Sequence, residues 1–260
     1  MTEPVLLETS GATRIVTINR PEARNALTRS VIATLDGALR AASSDRSVRC
    51  VVLAGSGGHF CAGADLRQTF AEDPDLLEHL DEYMDAYHGL IQAVVRCEKP
   101  TLAMMDGAAV GFGADMAFAC DLRVTSTSAY VQEKFVSIGL MPDGGGTFWL
   151  PRLVGTARAL RMMLLAEKLD GARMVELGIA VSAVASSELR EATLALAKKI
   201  EAGPPLAYAS IKSAVYDSWG SLEDALRRER EAQLRLLHTQ DMLEGVMAWA
   251  QKRDPNFQGK

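Results

Sequence analysis

Two glycine-bearing segments have the residue types needed to hold a negatively charged oxygen. They are Phe60-Cys61-Ala62-Gly63-Ala64-Asp65 and Gly107-Ala108-Ala109-Val110-Gly111-Phe112-Gly113-Ala114-Asp115. Each follows an apolar run that reads as a strand, and each offers small residues around which backbone N–H groups could lie bare. Two such donors aimed at one carbonyl oxygen would stabilise an enolate, with each donor lowering the barrier by about 3–4 kcal/mol. The candidate donors are the amides of Ala64 and Phe112. The Phe112 amide is a first-turn donor without an intrahelical acceptor, at the helix end that favours negative charge. Asp115 follows three residues later on the same side of the helix. It reads equally as an acid/base group or as a first-turn acid opposing the dipole, and Asp65 reads equally as a helix cap.

A third segment, Pro142-Asp143-Gly144-Gly145-Gly146-Thr147, places Asp143 in a Pro-Asp-Gly turn next to a backbone that can lie flat against a ligand. Residue types alone favour the turn role for Asp143 over an acid/base role. Other chemistries find no motif. Neither glycine segment continues into Gly-Lys-Ser/Thr, a dinucleotide fingerprint would need a third glycine, and no Gly-x-Ser-x-Gly occurs. His79 and His88 on a helix, and His238 in the tail, read as solvated or packed; His59 is the one histidine placed to touch a ligand. The four cysteines form no C-x-x-C pair and no His-x-x-x-His stands nearby, so no metal site is expected.

The elements that must position these residues alternate between β and α patterns. Val5–Glu8 and Arg14–Asn19 read as a hairpin about Ser10-Gly11, and Thr28–Ala42 as a helix with Thr28 as its N-cap. Val48–Ala54 reads as a strand buried on both faces, and Leu76–Cys97 as the clearest amphipathic helix. Pro100–Met105 and Leu122–Thr125 follow as strands. This order implies parallel strands with ligands bound where strands give way to helices. From Pro151 the chain reads as mainly helical. Gly203-Pro204-Pro205 is the strongest break, dividing a core over residues 1–202 from a helical region over 203–260. That tail, with Leu226, Leu234, Leu236 and Leu237, must pack on the core or on another subunit.

Composition narrows the class further. At 260 residues, with 48% hydrophobic and 23% charged, the chain suits a soluble globular protein. A formal charge of -5 gives no reason to expect nucleic acid or an anionic membrane as partner. No apolar stretch approaches the roughly 20 residues of a membrane span, Met1-Thr2-Glu3-Pro4 does not open a secretory signal, and the thiols suit a reducing cytoplasm.

Taken together the motifs resemble one family, the enoyl-CoA hydratase/isomerase or crotonase superfamily. The likeness runs nearly end to end. It takes in Asn19-Arg20-Pro21, Asn25-Ala26-Leu27, the two glycine segments, Lys99-Pro100, Ala119-Cys120-Asp121-Leu122-Arg123 and Gly139 to Thr147. The resemblance implies an α/β fold, a crotonase-like spiral of ββα units with a helical C-terminal region, assembled as a homotrimer or dimer of trimers. It implies an acyl-CoA substrate, with coenzyme A as part of that substrate and no separate cofactor. The thioester enolate would be held by the amides of Ala64 and Phe112. Arg24, Ala62, Asp65, Leu66, Arg67, Gly111 and Phe135 would line the CoA and acyl site. The family's hydratases carry one glutamate where this chain has Asp115, and a gapless count back from Gly139 places their second glutamate at Phe135. Glu133 is two residues away and would need a local bulge to serve. Asp143 falls where the 1,2-epoxyphenylacetyl-CoA isomerases of phenylacetate catabolism and the related Δ3,Δ2-enoyl-CoA isomerases carry their working carboxylate. The resemblance therefore turns the reading of Asp143 from turn residue to principal acid/base, with Asp115 auxiliary. The alternatives are a 2-enoyl-CoA hydratase using Asp115 and a non-catalytic acyl-CoA-binding subunit.

Overall fold

The computed structural model describes residues 3–72, 78, 80–217 and 220–260. The expected helix start at Leu76 and the His79 position lie outside them. Six strands form the main sheet: β1 (Val5–Ser10), β2 (Thr13–Ile18), β3 (Cys50–Gly55), β4 (Thr101–Met105), β6 (Leu122–Ser126) and β9 (Ser182–Val184), side by side in that order. The hairpin β1/β2 is antiparallel and every other pair is parallel. A smaller sheet runs β5 (Ala108–Val110), β7 (Tyr130–Gln132) and β8 (Lys168–Asp170). Isolated parallel bridges Leu27↔Ala64 and Cys61↔Ala109 extend this second layer.

The second layer reveals the repeat. Each main-sheet strand is followed by a short partner in the other layer and then by a helix. β2 leads through Leu27 to α1 (Arg29–Ser44), and β3 through Cys61 to α2 (Leu66–Glu72) and α3 (Leu80–Val95). β4 leads through β5 to α4 (Phe112–Ala119), and β6 through β7 to α5 (Gly146–Val154). This is the expected spiral of ββα units. The short strands β5, β7, β8 and β9 escaped the sequence reading because three residues are too few to show a period of two. β8 and β9 add two short strands to a region beyond Pro151 that is otherwise mainly helical, as expected.

Helix α1 forms where expected. The Thr28 side chain accepts the Val31 N–H, and Val31, Ile32, Leu35, Leu39 and Ala42 point inward. Helix α4 is different, because all eight of its residues are buried and Asp115 is the only ionisable one. The buried Arg123 guanidinium ends it by donating to the carbonyls of Ala117, Phe118, Cys120 and Ile179. It supplies partners that the last turn lacks internally.

The remaining helices are α6 (Thr156–Leu165), α7 (Gly171–Glu176), α8 (Leu189–Glu201), α9 (Pro205–Asp217), α10 (Leu222–Leu236) and α11 (Gln240–Gln251). Ser221 caps α10 through the Asp224 N–H. α9 is tied to the core by Lys212, which lies 2.7 Å from the Asp121 carboxylate and donates to the Lys99 carbonyl. Asp121 also accepts from Tyr216 and from the Thr101 amide and hydroxyl. Removing one member of so enclosed an ion pair leaves the other uncompensated, so Asp121→Ala is expected to cost about 3 kcal/mol, read as a lowered urea midpoint. The chain end folds back: Gln258 and Gly259 amides donate to Asp241, and Arg49 donates to the Phe257 carbonyl. All four cysteines are buried and free. No helix among the described residues is long and apolar enough to cross a membrane.

Candidate active site

The two glycine segments meet through the Cys61↔Ala109 bridge. The Cys61 N–H donates to Ala108 O, and the Val110 N–H donates back to Cys61 O. A methyl group placed on Gly63 would lie 2.8 Å from Val110 O and 3.5 Å from Phe112 N, so the turn bearing Ala64 rests against the start of α4. Gly111 makes that start possible. At φ 53° and ψ -127° it occupies a region that L side chains avoid, while its N–H donates to Gln132 O. Among the described residues, neither the Ala64 nor the Phe112 amide has a backbone acceptor. Both of the donors inferred from the sequence are thus unengaged on adjoining loops.

The residues expected to line the substrate sort into two groups. Arg24 stands exposed at a left-handed turn (φ 51°), and its carbonyl accepts the Ala62 N–H, which holds this turn against the first glycine segment. Leu66 and Arg67 are exposed on α2. Asp65 is committed to structure: its carboxylate pairs with Arg20 at 2.9 Å and caps α2 through the Gln68 N–H. Phe135 presses its ring against Gly111, with a Cβ there meeting it at 3.6 Å, so an apolar wall stands beside the Phe112 donor.

Three carboxyl groups converge under the turn Pro142–Gly146. Asp143 is half-buried, and its Oδ1 has no hydrogen-bond partner. Its carbonyl receives the His88 Nε2 at 3.0 Å. Burial raises the Asp143 carboxyl above its ordinary value, with the nearby His88 acting in the opposite direction. Asp115 is fully enclosed, and its Oδ2 accepts the Gly144 N–H at 2.8 Å. Glu133 is also enclosed and lies against Asp115; burial together with Asp115 pushes it well above the usual carboxylate range. Asp115 is likewise raised, chiefly by burial.

The sequence reading assigned the second-carboxylate position to Phe135 and gave Glu133 little weight. The fold brings Glu133 beside Asp115 all the same, because β7 ends at Gln132 and the chain turns into a short 3-10 segment over Phe135–Ile138. A residue count cannot see where a strand ends and side-chain alternation stops. The paired hydroxyls of Tyr83 and Tyr87 (2.9 Å) and the exposed His88, all on α3, also gather near this site. Tyr87 further packs edge-on against Phe112, with ring centroids 4.6 Å apart. Cys61, in the first glycine segment, is a poor nucleophile: burial pushes its thiol up to about 12. Among the described residues no cluster could hold a metal ion.

Backbone donors beside a set of carboxyl groups suit enolate chemistry on a thioester, and similarity to known proteins points the same way. The sequence profile of the enoyl-CoA hydratase/isomerase family matches residues 8–260. A probable enoyl-CoA hydratase of Rhodobacter capsulatus is 39% identical over 254 residues, covering 97% of each chain. The 1,2-epoxyphenylacetyl-CoA isomerase of Escherichia coli is 32% identical over 265 residues, covering both chains in full. A crystal structure of an enoyl-CoA hydratase from a Polaromonas species superposes with a TM-score of 0.92 at 32% identity, over 97% of this chain and 99% of that one. The fold is therefore the crotonase fold, and the chain belongs to the enoyl-CoA hydratase/isomerase family, enzymes that act on CoA thioesters.

Proposed function

We propose that this enzyme moves the double bond of an enoyl-CoA thioester, with Asp143 as the acid/base. The observation that carries this reading is the unequal exposure of the three carboxyl groups. Asp143 keeps part of its side chain exposed, although its unpartnered Oδ1 is itself enclosed, whereas Asp115 and Glu133 are sealed beneath the turn and face each other. The Asp143 carboxylate takes a proton from C2 of a 3-enoyl thioester, and the electrons pass to the thioester oxygen as a dienolate. The amides of Ala64 and Phe112 hold that oxygen. Asp143 then returns the proton at C4, leaving the 2-enoyl product. Burial, with the Phe112 ring against neighbouring Gly144, keeps the aspartate basic enough for the task. The Arg24 turn and the exposed Leu66-Arg67 pair suit the CoA portion, where two arginines match its phosphates.

A second reading is hydration of a 2-enoyl-CoA. It is favoured by the closeness of Asp115 and Glu133, since water addition needs two carboxylates on one water. One assay separates the two readings. Isomerisation predicts conjugation of a 3-enoyl-CoA, followed in the ultraviolet, with little water added to a 2-enoyl-CoA. Strong hydration that is lost in Asp115→Asn, without isomerisation, would overturn the isomerase reading.

Assembly into a trimer or dimer of trimers is part of the same reading. Helix α10 buries none of its residues, and Leu222, Leu226 and Leu234 stand exposed. Such a face on a stable helix suits a second copy of the chain. Sedimentation at equilibrium reads the mass directly, and a monomer would refute this part.

A further inference from the structure

The isomerase reading uses Asp143 and leaves Asp115 and Glu133 unexplained. Neither is exposed, and both Glu133 oxygens and Asp115 Oδ1 meet no hydrogen-bond donor. Among the described residues, no lysine, arginine or histidine forms an ion pair with either. A methyl group on Gly146 would stand 3.2 Å from Glu133 Oε1 and would collide with Asp115 Oδ1, so both oxygens share the space over that glycine. Two carboxylates this close in a sealed interior cannot both ionise. With one proton between them they satisfy each other through an O–H···O⁻ bond of the strong, charge-assisted kind.

We propose that Asp115 and Glu133 share a single proton and form a positioning clamp for the turn that carries Asp143. Glu133 holds the proton and Asp115 carries the charge. The division follows from their surroundings: the Asp115 carboxylate accepts from the amide of Gly144, interacts with that of Gly146 and sits in the first turn of α4, whereas Glu133 has only Asp115. The anion on Asp115 then fixes the Gly144 N–H and thereby the backbone direction of Asp143. Other titratable groups facing the pair are few. Asp143 lies across the turn, with His88, Tyr83 and Tyr87 of α3 beyond it. Glu133 is thus a positioning residue acting through Asp115 on the proposed base, an inference that deepens the isomerase reading and rests on it.

The shared proton has a spectroscopic signature that needs no substrate. Infrared spectra of the wild type at neutral pH should show the carbonyl stretch of a protonated carboxyl group. That band should vanish in Glu133→Gln, which keeps an amide donor toward Asp115, and persist in Asp143→Asn. The melting temperature gives a second reading. A group that keeps its proton when folded and releases it when unfolded makes stability fall as pH rises from the ordinary carboxylate range through neutrality. That fall should be visible in the wild type and flattened in Glu133→Gln. In turnover, Glu133→Gln should lose the alkaline limb that arises when the pair gives up its proton, while the acid limb set by Asp143 stays in place. The absence of a protonated carboxyl band in the wild type overturns the proposal, as does a Glu133→Gln protein whose band, melting profile and alkaline limb match the wild type. Should that variant fail to fold, the wild-type spectrum decides alone. A wild type that does not turn over 3-enoyl-CoA sinks the isomerase reading, and the infrared and melting results still judge the pair.

Discussion

Asp143→Asn should lose about 10³-fold in kcat for isomerisation of a 3-enoyl-CoA while KM changes little, because the asparagine keeps the shape of the turn but cannot take a proton. The substitution is nearly isosteric, and Asp143 makes no ion pair among the described residues, so the melting temperature should hold within a few degrees. The pH dependence follows from the raised carboxyl. The group must be ionised to act as a base, and burial favours its protonated form. Wild-type turnover should therefore rise with pH through a limb above the ordinary aspartate value of about 4. His88 beside Asp143 opposes that shift, so His88→Leu should move the limb to higher pH. A variant with full activity at every pH would remove Asp143 from the mechanism.

Gly111→Ala should cost about 10²–10³-fold in kcat, the loss associated with one missing oxyanion donor. The added methyl finds ordinary space against Phe135, so no collision drives the effect. The strain lies in the backbone, which must leave φ 53° and ψ -127° or bear about 1–3 kcal/mol to stay. Relaxing it turns the Phe112 amide away from Ala64 and stretches the bond from Gly111 N–H to Gln132 O. Kinetics on the isomerase substrate, with circular dichroism to confirm the fold, provide the check. A folded Gly111→Ala with wild-type kcat would mean that the Phe112 amide is not a donor to the reacting oxygen.

Much of the frame was legible in the chain itself. Thr28 announced α1, the apolar run over Val48–Ala54 announced β3, and Ser221 announced α10, because caps and periodicity act within one turn or strand. That the two glycine segments belong to one site was an expectation from their motifs and a family resemblance, and the Cys61↔Ala109 bridge joins them. What stayed hidden depends on distant partners. Strands of three residues gain definition only once a neighbour pairs with them, as β5 does with β7. Glu133 was underweighted for a related reason: its neighbour Asp115 is 18 positions earlier, and only the end of β7 decides which way it points. Asp65 read as a cap or a ligand contact, and the Arg20 partner that commits it to the scaffold comes from a loop 45 residues away.

The Cys61↔Ala109 bridge gives this enzyme an unusual economy. On the proposed mechanism, main-chain stitching, indifferent to side-chain identity, would fix where the thioester sits, while acids on separate segments would decide what happens to it. Exchanging those acids should therefore redirect the reaction without rebuilding the cradle, which makes the scaffold a natural starting point for designed changes of reactivity.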